Sequence, residues 1–246
     1  MNRGALPAGT AGEDQAARRV REMFGRVARR YDLLNHLLSF HADRYWRART
    51  VRRLRGALEK PGVRVLDICC GSGDLSLALA RRCRGRVFGC DFSRPMLVEA
   101  QRKIRRGNAV AALLEADALR LPFPDHCIDV ITAAFGFRNL VNYGAGLAEM
   151  LRVLRPGGMA AILEFSRPPN RWFRAAYDFY SRNLLPFIGG RLSGSREAYA
   201  YLPDSVRKFP DAGELEWWMR DAGFRDVEFL RMTGGIVALH VGKAAS

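Results

Sequence analysis

Short apolar runs recur along residues 63–165, and polar or glycine-rich turns separate them from amphipathic stretches with helical spacing. This alternation is typical of a parallel sheet with helices on both faces. It predicts strands near 63–68, 86–91, 109–115, 128–134 and 159–165, and helices near 74–83, 94–106 and 143–154, with Gly157 and Gly158 turning the chain into the fifth strand. A helix at 212–224 and strands at 226–232 and 236–242 follow. We therefore expect an α/β fold with a seven-stranded sheet.

Two aromatic segments lie outside this alternation. Residues 18–60 predict an N-terminal helical cap, which we expect either to cover the sheet or to act as a lid over a bound molecule. Residues 166–210 form an aromatic and basic insertion with one apolar helical face, made of Trp172, Phe173, Ala176, Tyr177, Tyr180 and Leu184. We interpret the insertion as a substrate cover or a membrane-facing patch, with packing on the sheet edge as the alternative. Residues 1–17 predict a disordered lead, and residues 18–246 predict a single domain.

The stretch Val63–Gly73 organises the rest of the chain. It reads VRVLDICCGSG, an apolar strand and a glycine turn, and a helix-forming run begins at Asp74. Glycines let a ligand approach the backbone closely, and a helix start offers free N–H groups. Such a unit opens nucleotide-binding folds, although a bare glycine turn is more often only a tight connection. Asp91 favours a ligand, because it ends the second strand 20 positions after Gly71, about the spacing at which an acid reaches ribose hydroxyls.

The spacing of these residues resembles one class of nucleotide-binding enzyme. A dinucleotide site would have glycine at position 76, where this chain has serine. The D-x-x-x-G-x-G pattern that starts at Asp67 resembles the class I methyltransferases, which use S-adenosylmethionine (SAM). The resemblance implies a Rossmann-like fold and SAM as cosubstrate, bound by Gly71, Ser72, Gly73 and Asp91. Cys69 stands where that family usually has glycine, so we expect a slightly stiffer loop.

Two more strand ends carry candidate chemistry. Asp117 follows the third strand, where it could accept a hydrogen bond from an adenine amino group, and capping of a turn is the structural alternative. Arg138 and Asn139 follow the fourth strand, on the side where an open sheet binds its ligand. The apolar residues around Arg138 would partly desolvate its guanidinium, which argues against a simple surface arginine.

The net charge of +15 comes from an excess of arginine, since four of the forty basic residues are lysines. Codon bias is one explanation of this excess, and the other is an anionic partner, either nucleic acid or a membrane surface. The sequence has no RNA-binding signature and no basic block of five residues, so we favour the anionic membrane surface and expect no nucleic acid. No apolar run reaches eighteen residues and no secretory signal begins the chain, which predicts a cytoplasmic protein associated with the inner face of the membrane. The five cysteines lack metal-ligand spacing and are expected to be reduced core thiols.

Longer blocks resemble the ubiquinone/menaquinone biosynthesis C-methyltransferases, from about residue 20 to the C-terminus. RYDLLN, FGFRN and SVRKFPD are the specific blocks, whereas LDICCGSG and LRPGG are shared by many methyltransferases. Carried over by position, the family's SAM contacts fall on Ser72, Asp91, Asp117 and Ala118. Some relatives have serine where this chain has Ala134, so one polar contact to SAM is expected to be missing.

The resemblance implies transfer of a methyl group from SAM to a ring carbon of a polyprenylated quinol, converting demethylmenaquinol to menaquinol. Loss of the neighbouring hydroxyl proton puts negative charge on that carbon, which attacks the methyl group. Arg138 suits stabilisation of the phenolate, because a pKa above about 12 makes it a poor base. The candidates for orienting the hydroxyl or a water are Asn139, Tyr31, Asp32 and His36. The implied reaction needs no metal.

Three alternatives to this function stay open at this point. The first is methylation of the benzoquinol intermediate of ubiquinone biosynthesis. The second is an RNA methyltransferase, which the charge would suit, and the third is a non-catalytic scaffold of a quinone-biosynthetic complex. The sequence also leaves open the length of the isoprenoid tail and whether the chain acts as a homodimer or in a biosynthetic complex.

Overall fold

A computed structural model describes residue 4, residue 10, residues 12–181 and residues 196–245. Its centre is one seven-stranded sheet with the order β3-β2-β1-β4-β5-β7-β6. The strands are β1 (Arg64–Ile68), β2 (Arg86–Asp91), β3 (Ala112–Glu115), β4 (Ile128–Ala134), β5 (Leu154–Phe165), β6 (Arg225–Met232) and β7 (Val237–Lys243). This confirms the predicted α/β fold and its seven strands.

The first five strands run parallel, and β7 enters antiparallel between β5 and β6. Four of the five residues of β1 are buried, because both of its faces are covered. Since the chain order reverses beside β1, with β2 on one side and β4 on the other, a crevice is expected at the carboxyl ends of these strands. Asp67, Asp91 and Ala134 lie at that edge.

Helices cover both faces of the sheet. They are α1 (Glu13–Leu38), α2 (Ala42–Arg53), α3 (Arg55–Leu58), α4 (Asp74–Ala80), α5 (Arg94–Arg106), α6 (Tyr143–Val153), α7 (Arg171–Phe179), α8 (Arg196–Lys208) and α9 (Ala212–Asp221). Alternate residues of β1 point to opposite faces, so Leu66 packs in the core under α6 and α9, whereas Val65 packs in the core under α2 and α4.

The cap contains α1, α2 and the short α3, and a tight turn joins α1 to α2. Phe40 and His41 have positive φ angles of 51° and 60°, which break the helical pattern between α1 and α2. Helix α1 begins at Glu13 and therefore includes residues 13–17, which the sequence placed in the lead. The reason is burial, because Ala16 is fully buried one turn before Val20.

Some element boundaries differ from the sequence prediction. Strand β3 is shorter, and β5 begins at Leu154 because Ile128 already pairs with Leu154 before the register shifts to Val130 and Met159. The predicted turn at Gly157 is thus an irregular stretch within a longer strand, where Gly157 has a φ of 71°. In the insertion, α7 has no buried residue, so it does not pack as an ordinary core helix. Leu184, assigned to the same helical face, lies outside the described residues.

Candidate functional site

The first cavity lies at the carboxyl ends of β1, β2 and β4, where the fold predicts a ligand. Gly71 lines it with a φ of +53°, and open space stands where its side chain would be. Gly73 has a different role, because a Cβ there would lie 2.9 Å from the Cβ of Ala100. Its φ of +80° and the missing side chain let the start of α4 pack against α5. The predicted glycine loop therefore has one glycine that faces the cavity and one that fixes its wall.

Asp91 is held in place before any ligand arrives. Its Oδ2 accepts from the backbone N–H of Gly71 at 2.8 Å, and its Oδ1 accepts from that of Ser93 at 2.9 Å. Burial raises the pKa of Asp91 to about 6, although these backbone donors act in the opposite direction. A carboxylate oxygen has more than one lone pair, so Asp91 keeps capacity for ribose hydroxyls.

Asp67 joins three elements beneath the cavity. Its two oxygens accept from Ser76 on α4 at 2.6 Å and from Thr132 on β4 at 2.7 Å. Burial raises the pKa of Asp67 to about 6, and the two hydroxyl donors lower it. Asp67 therefore adds negative potential to the wall of the cavity while it ties the strand end to α4.

The residues after β3 line the far end of the cavity. Asp117 and Ala118 both line it, but one Asp117 oxygen also accepts from the backbone N–H of Leu119 at 2.9 Å, as the capping alternative predicts. Glu115, the last residue of β3, forms an ion pair with Arg21 of α1. A second ion pair, at 3.6 Å, joins it to Arg94.

Helix α1 lies over this cavity. Ala17 and Phe24 line it, and farther along α1 Asp32 accepts from the Ser72 hydroxyl in the glycine loop. Lys103 of α5 adds an ion pair with Asp32 at 2.6 Å. The enclosed space is about 80 Å³, below the roughly 300 Å³ at the lower end of small-molecule sites.

A second cavity of about 340 Å³ lies beside the first. Six of its fourteen lining residues are aromatic, and they come from the cap, from the ends of β4 and β5 and from the region of α7: Phe40, Trp46, Phe135, Phe165, Tyr177 and Tyr180. Phe135 and Arg47 line both cavities and therefore mark the boundary between them. Phe135 has a positive φ of 58°, a conformation that costs a non-glycine residue about 1–2 kcal/mol.

Arg138 and Asn139 are neighbours in the chain but face different cavities. Arg138 lines the second cavity, and its guanidinium lies 5.3 Å from the centre of the Phe165 ring. Asn139 lines the first cavity, and its side-chain oxygen accepts from Tyr201 at 3.1 Å. Burial raises the pKa of Tyr201 to about 12, so its hydroxyl stays a donor at neutral pH.

Arg138 is also part of a buried ion pair. Its Nη1 lies 3.0 Å from Oε1 of Glu164, and both side chains are almost fully buried, with 3% and 1% exposure. Backbone N–H groups of Arg138 and Phe165 also donate to Glu164, at 3.2 and 2.9 Å. Burial still raises the pKa of Glu164, against the attraction of Arg138. The arginine therefore has a structural contact in addition to its place in the cavity wall.

Of the other residues predicted to orient the hydroxyl, Tyr31 and His36 both lie on α1. Tyr31 belongs to α1, but its side chain lies outside the described residues. The His36 ring forms a 2.7 Å hydrogen bond through Nδ1 with Asp43 of α2. Burial alone would raise the pKa of Asp43, but Arg47, Ser39 and His36 together hold it below its ordinary value.

Sequence reasoning did not single out three residues of this site. Arg47 was one of many arginines in the cap, and nothing in its spacing marked it. Glu164 had a signal, because an acid inside the apolar run AAILEF needs a buried cation. The strain at Phe135 is a backbone property that side-chain patterns do not report.

Known proteins resemble this chain over most of its length. The family model described as the ubiE/COQ5 methyltransferase family matches residues 12–244. A demethylmenaquinone methyltransferase of Thermus thermophilus is 49% identical over 221 residues, which cover 89% of this chain and 99% of the relative. A ubiquinone/menaquinone biosynthesis C-methyltransferase UbiE of Geobacter sulfurreducens is 44% identical over 230 residues, with 92% and 88% covered.

Solved structures support the fold. A SAM-dependent methyltransferase from Aquifex aeolicus superposes with a TM-score of 0.59 at 20% identity, over 80% of this chain and 89% of that one. At that identity the likeness concerns the fold, which is that of class I SAM-dependent methyltransferases. The family match extends over most of the chain, and the chain belongs to the ubiE/COQ5 methyltransferase family.

Proposed function

We propose that this protein methylates a ring carbon of a polyprenylated quinol with SAM, and that the substrate is demethylmenaquinol, which becomes menaquinol. The observation that carries the proposal is the pair of cavities that meet at Arg47 and Phe135. One has acidic walls at the nucleotide end of the sheet, and the other has aromatic walls. Two reactants of unlike chemistry can therefore be held in contact at a common boundary.

The residues of the first cavity fit SAM. Asp91 ends β2 with both oxygens placed by backbone donors, and Gly71 leaves open space beside it. Ser72, Asp117 and Ala118 complete the set that would hold the nucleoside. SAM, when bound, supplies an electrophilic methyl group on a positively charged sulfur. The carboxylates around it suit that charge.

The second cavity would hold the quinol ring. The ring hydroxyl loses its proton, the neighbouring carbon forms the new bond to the methyl carbon, and the bond from that methyl to sulfur breaks. The carbon then loses its own hydrogen as a proton, and the ring regains its aromatic character. Arg138 would stabilise the oxygen anion. Asn139 would place the hydroxyl or a water from the side of the first cavity, which it lines, and Tyr31 is the other candidate for that role. Glu164 keeps the guanidinium in position, and it also offsets part of its charge.

Methyl transfer to candidate acceptors tests the proposal. The purified protein is incubated with SAM labelled in the methyl group and with demethylmenaquinol, the matching benzoquinol or total RNA. We expect label in the naphthoquinol, at the ring carbon, by mass analysis. Label in the benzoquinol alone would change the substrate, and label in RNA or in none of the acceptors would refute the proposed function.

The surface beside the second cavity would lie on the membrane that contains the quinol. Trp172 and Phe179, seven residues apart on α7, are 72% and 64% exposed, and Phe40 is 79% exposed. Phe40 contacts Tyr180 with ring centres 6.2 Å apart, and both line the cavity. These exposed aromatic side chains form a rim on a chain whose net charge is +15. Such a surface is suited to anionic lipid at the inner face of the cytoplasmic membrane.

The lipid proposal has a matched pair of variants. Trp217 is 60% exposed on α9, which packs on the other face of the sheet from Trp46 and Phe135 of the second cavity, so Trp217→Ser is the control for Trp172→Ser. In co-sedimentation with anionic vesicles, Trp172→Ser should bind more weakly than Trp217→Ser, and salt should weaken binding of both. Equal loss in the two variants, or equal binding to neutral and anionic vesicles, would contradict this surface. Among the described helices, none combines the length and apolar character needed to cross a bilayer.

A further inference from the structure

The charged side chains of the first cavity are acidic with one exception. Among the described residues that line it, Arg47 is the one cation, and the acids are Asp67, Asp74, Asp91 and Asp117. SAM has a positive sulfonium, a positive ammonium and a negative carboxylate. Carboxylates in the wall suit the two positive groups and repel the negative one. We propose that Arg47 binds the carboxylate of the methionine part of SAM; this inference rests on the proposed use of SAM.

The guanidinium of Arg47 has donors to spare for a second carboxylate. Its Nη1 pairs with Asp43, one turn earlier on α2. Its Nη2 lies 3.6 Å from Asp74, beyond hydrogen-bond distance, and forms no hydrogen bond with the described residues. The side chain is 12% exposed, so it is partly desolvated and still reachable from the cavity. A guanidinium carries five N–H groups in a planar fork, which matches a carboxylate with two parallel hydrogen bonds.

The place of Arg47 adds a consequence for the reaction. Its guanidinium lies 5.5 Å from the centre of the Phe135 ring, and these two residues line both cavities. A carboxylate held there keeps the methionine end of SAM at the boundary with the second cavity. The nucleoside end is then left for Asp91 and Asp117, at the ends of β2 and β3. Arg47 is thus a residue that sets the direction in which SAM lies.

The competing explanation is a purely structural arginine. In that case Arg47 only ties α2 to α4, through Asp43 and Asp74. The two roles differ in one measurable property, which is discrimination between SAM and SAM that lacks its carboxylate. Decarboxylated SAM has one more net positive charge, so an acidic wall without Arg47 would attract it at least as strongly as SAM.

Calorimetry with the full chain and the two ligands provides the test. We expect the wild type to bind SAM about ten- to a hundredfold more tightly than decarboxylated SAM, the range for a charge-assisted hydrogen bond. Arg47→Met should abolish or reverse the preference, and Arg47→Lys should retain part of it, since lysine keeps the charge but not the fork. Arg44→Met, an equal charge change at an exposed position of α2, should retain all of it.

Three results would overturn the inference. The wild type could bind both ligands equally, or Arg47→Met could weaken both by the same factor, which would establish the structural role. Binding of neither ligand would remove the proposed function together with the inference. Preference for SAM that depends on Arg47, without methylation of any quinol, would support the inference and contradict the proposed substrate. A melting curve without ligand checks that Arg47→Met is folded, and Arg47→Lys gives the answer if it is not.

Discussion

The buried pair of Arg138 and Glu164 gives a prediction that separates stability from catalysis. The Glu164 carboxylate is 1% exposed and pairs with Nη1 of Arg138. In Arg138→Met it would keep its two backbone N–H donors but lose its cation. Breaking a buried pair from one side costs about 3–5 kcal/mol. One kcal/mol corresponds to roughly 2–4 °C in melting temperature for a chain of this size. We therefore expect Arg138→Met to melt about 6–20 °C below the wild type.

The loss of stability in Arg138→Met should increase with pH. Burial already raises the pKa of Glu164, and without Arg138 that pKa rises further. An acid whose pKa is higher in the folded state than in the unfolded state stabilises the fold as the pH falls toward its unfolded pKa. The deficit of Arg138→Met should therefore be larger at pH 8 than at pH 5. A melting temperature equal to that of the wild type at pH 8 would refute the role of the pair.

The double variant isolates the chemical role. Arg138→Met with Glu164→Gln removes both charges, so no unpaired charge stays buried and the double variant should regain much of the stability that Arg138→Met loses. If Arg138 stabilises the quinol anion, the double variant should be folded but turn over roughly a hundred- to a thousandfold more slowly, with KM changed much less. A stable double variant with near-normal kcat would leave Arg138 with a structural role alone. Circular dichroism melting and methyl transfer to demethylmenaquinol are the two assays.

Four further predictions concern the first cavity. Asp91→Asn should weaken SAM binding by ~1–3 kcal/mol in calorimetry, because it removes a charged acceptor at the ribose position; unchanged affinity would contradict the assignment. SAM affinity of the wild type should fall between pH 7 and pH 5, since Asp91 and Asp67 have pKa values of about 6, and a flat profile would refute a role for their charge. Over the same interval the unliganded wild type should gain more stability than Asp91→Asn, because a raised pKa makes the folded state take up the proton first. Gly136→Ala should destabilise the fold by roughly 1–3 kcal/mol, because its Cβ would overlap the Cβ of Cys69. Adding Cys69→Gly should restore much of the melting temperature.

The sequence was a good guide where one pattern had one structural solution. Strands β1, β2 and β4 were predictable because a buried strand next to a glycine turn has few alternatives, and Asp91 followed from its distance to Gly71. Cys69 shows an intermediate case. The departure from glycine was visible, and the structure gives that residue a positive φ of 50°. Its contact with Gly136 joins two distant loops, so no local pattern could reveal it.

The residues that sequence reasoning missed depend on long-range packing. Arg138 was assigned to a phenolate, but its partner Glu164 lies 26 positions away on the neighbouring strand β5. Arg47 acquires its position only when α2 packs against α4 and β5. In a chain with many arginines, the sequence alone does not show which arginine lines a cavity and which is exposed to solvent.

The length of α1 has a consequence for how the two cavities communicate. Its 26 residues make a rod of about 39 Å. Ala17 and Phe24 lie on the first cavity, and Asn35 lies on the second. A rigid wall shared by two sites links them thermodynamically, so the free energy with which one ligand holds α1 in place also counts toward the affinity for the other. If the proposed ligands bind in the two cavities, SAM should change the affinity for the quinol by the same factor by which the quinol changes the affinity for SAM. Titration with either ligand would measure that factor.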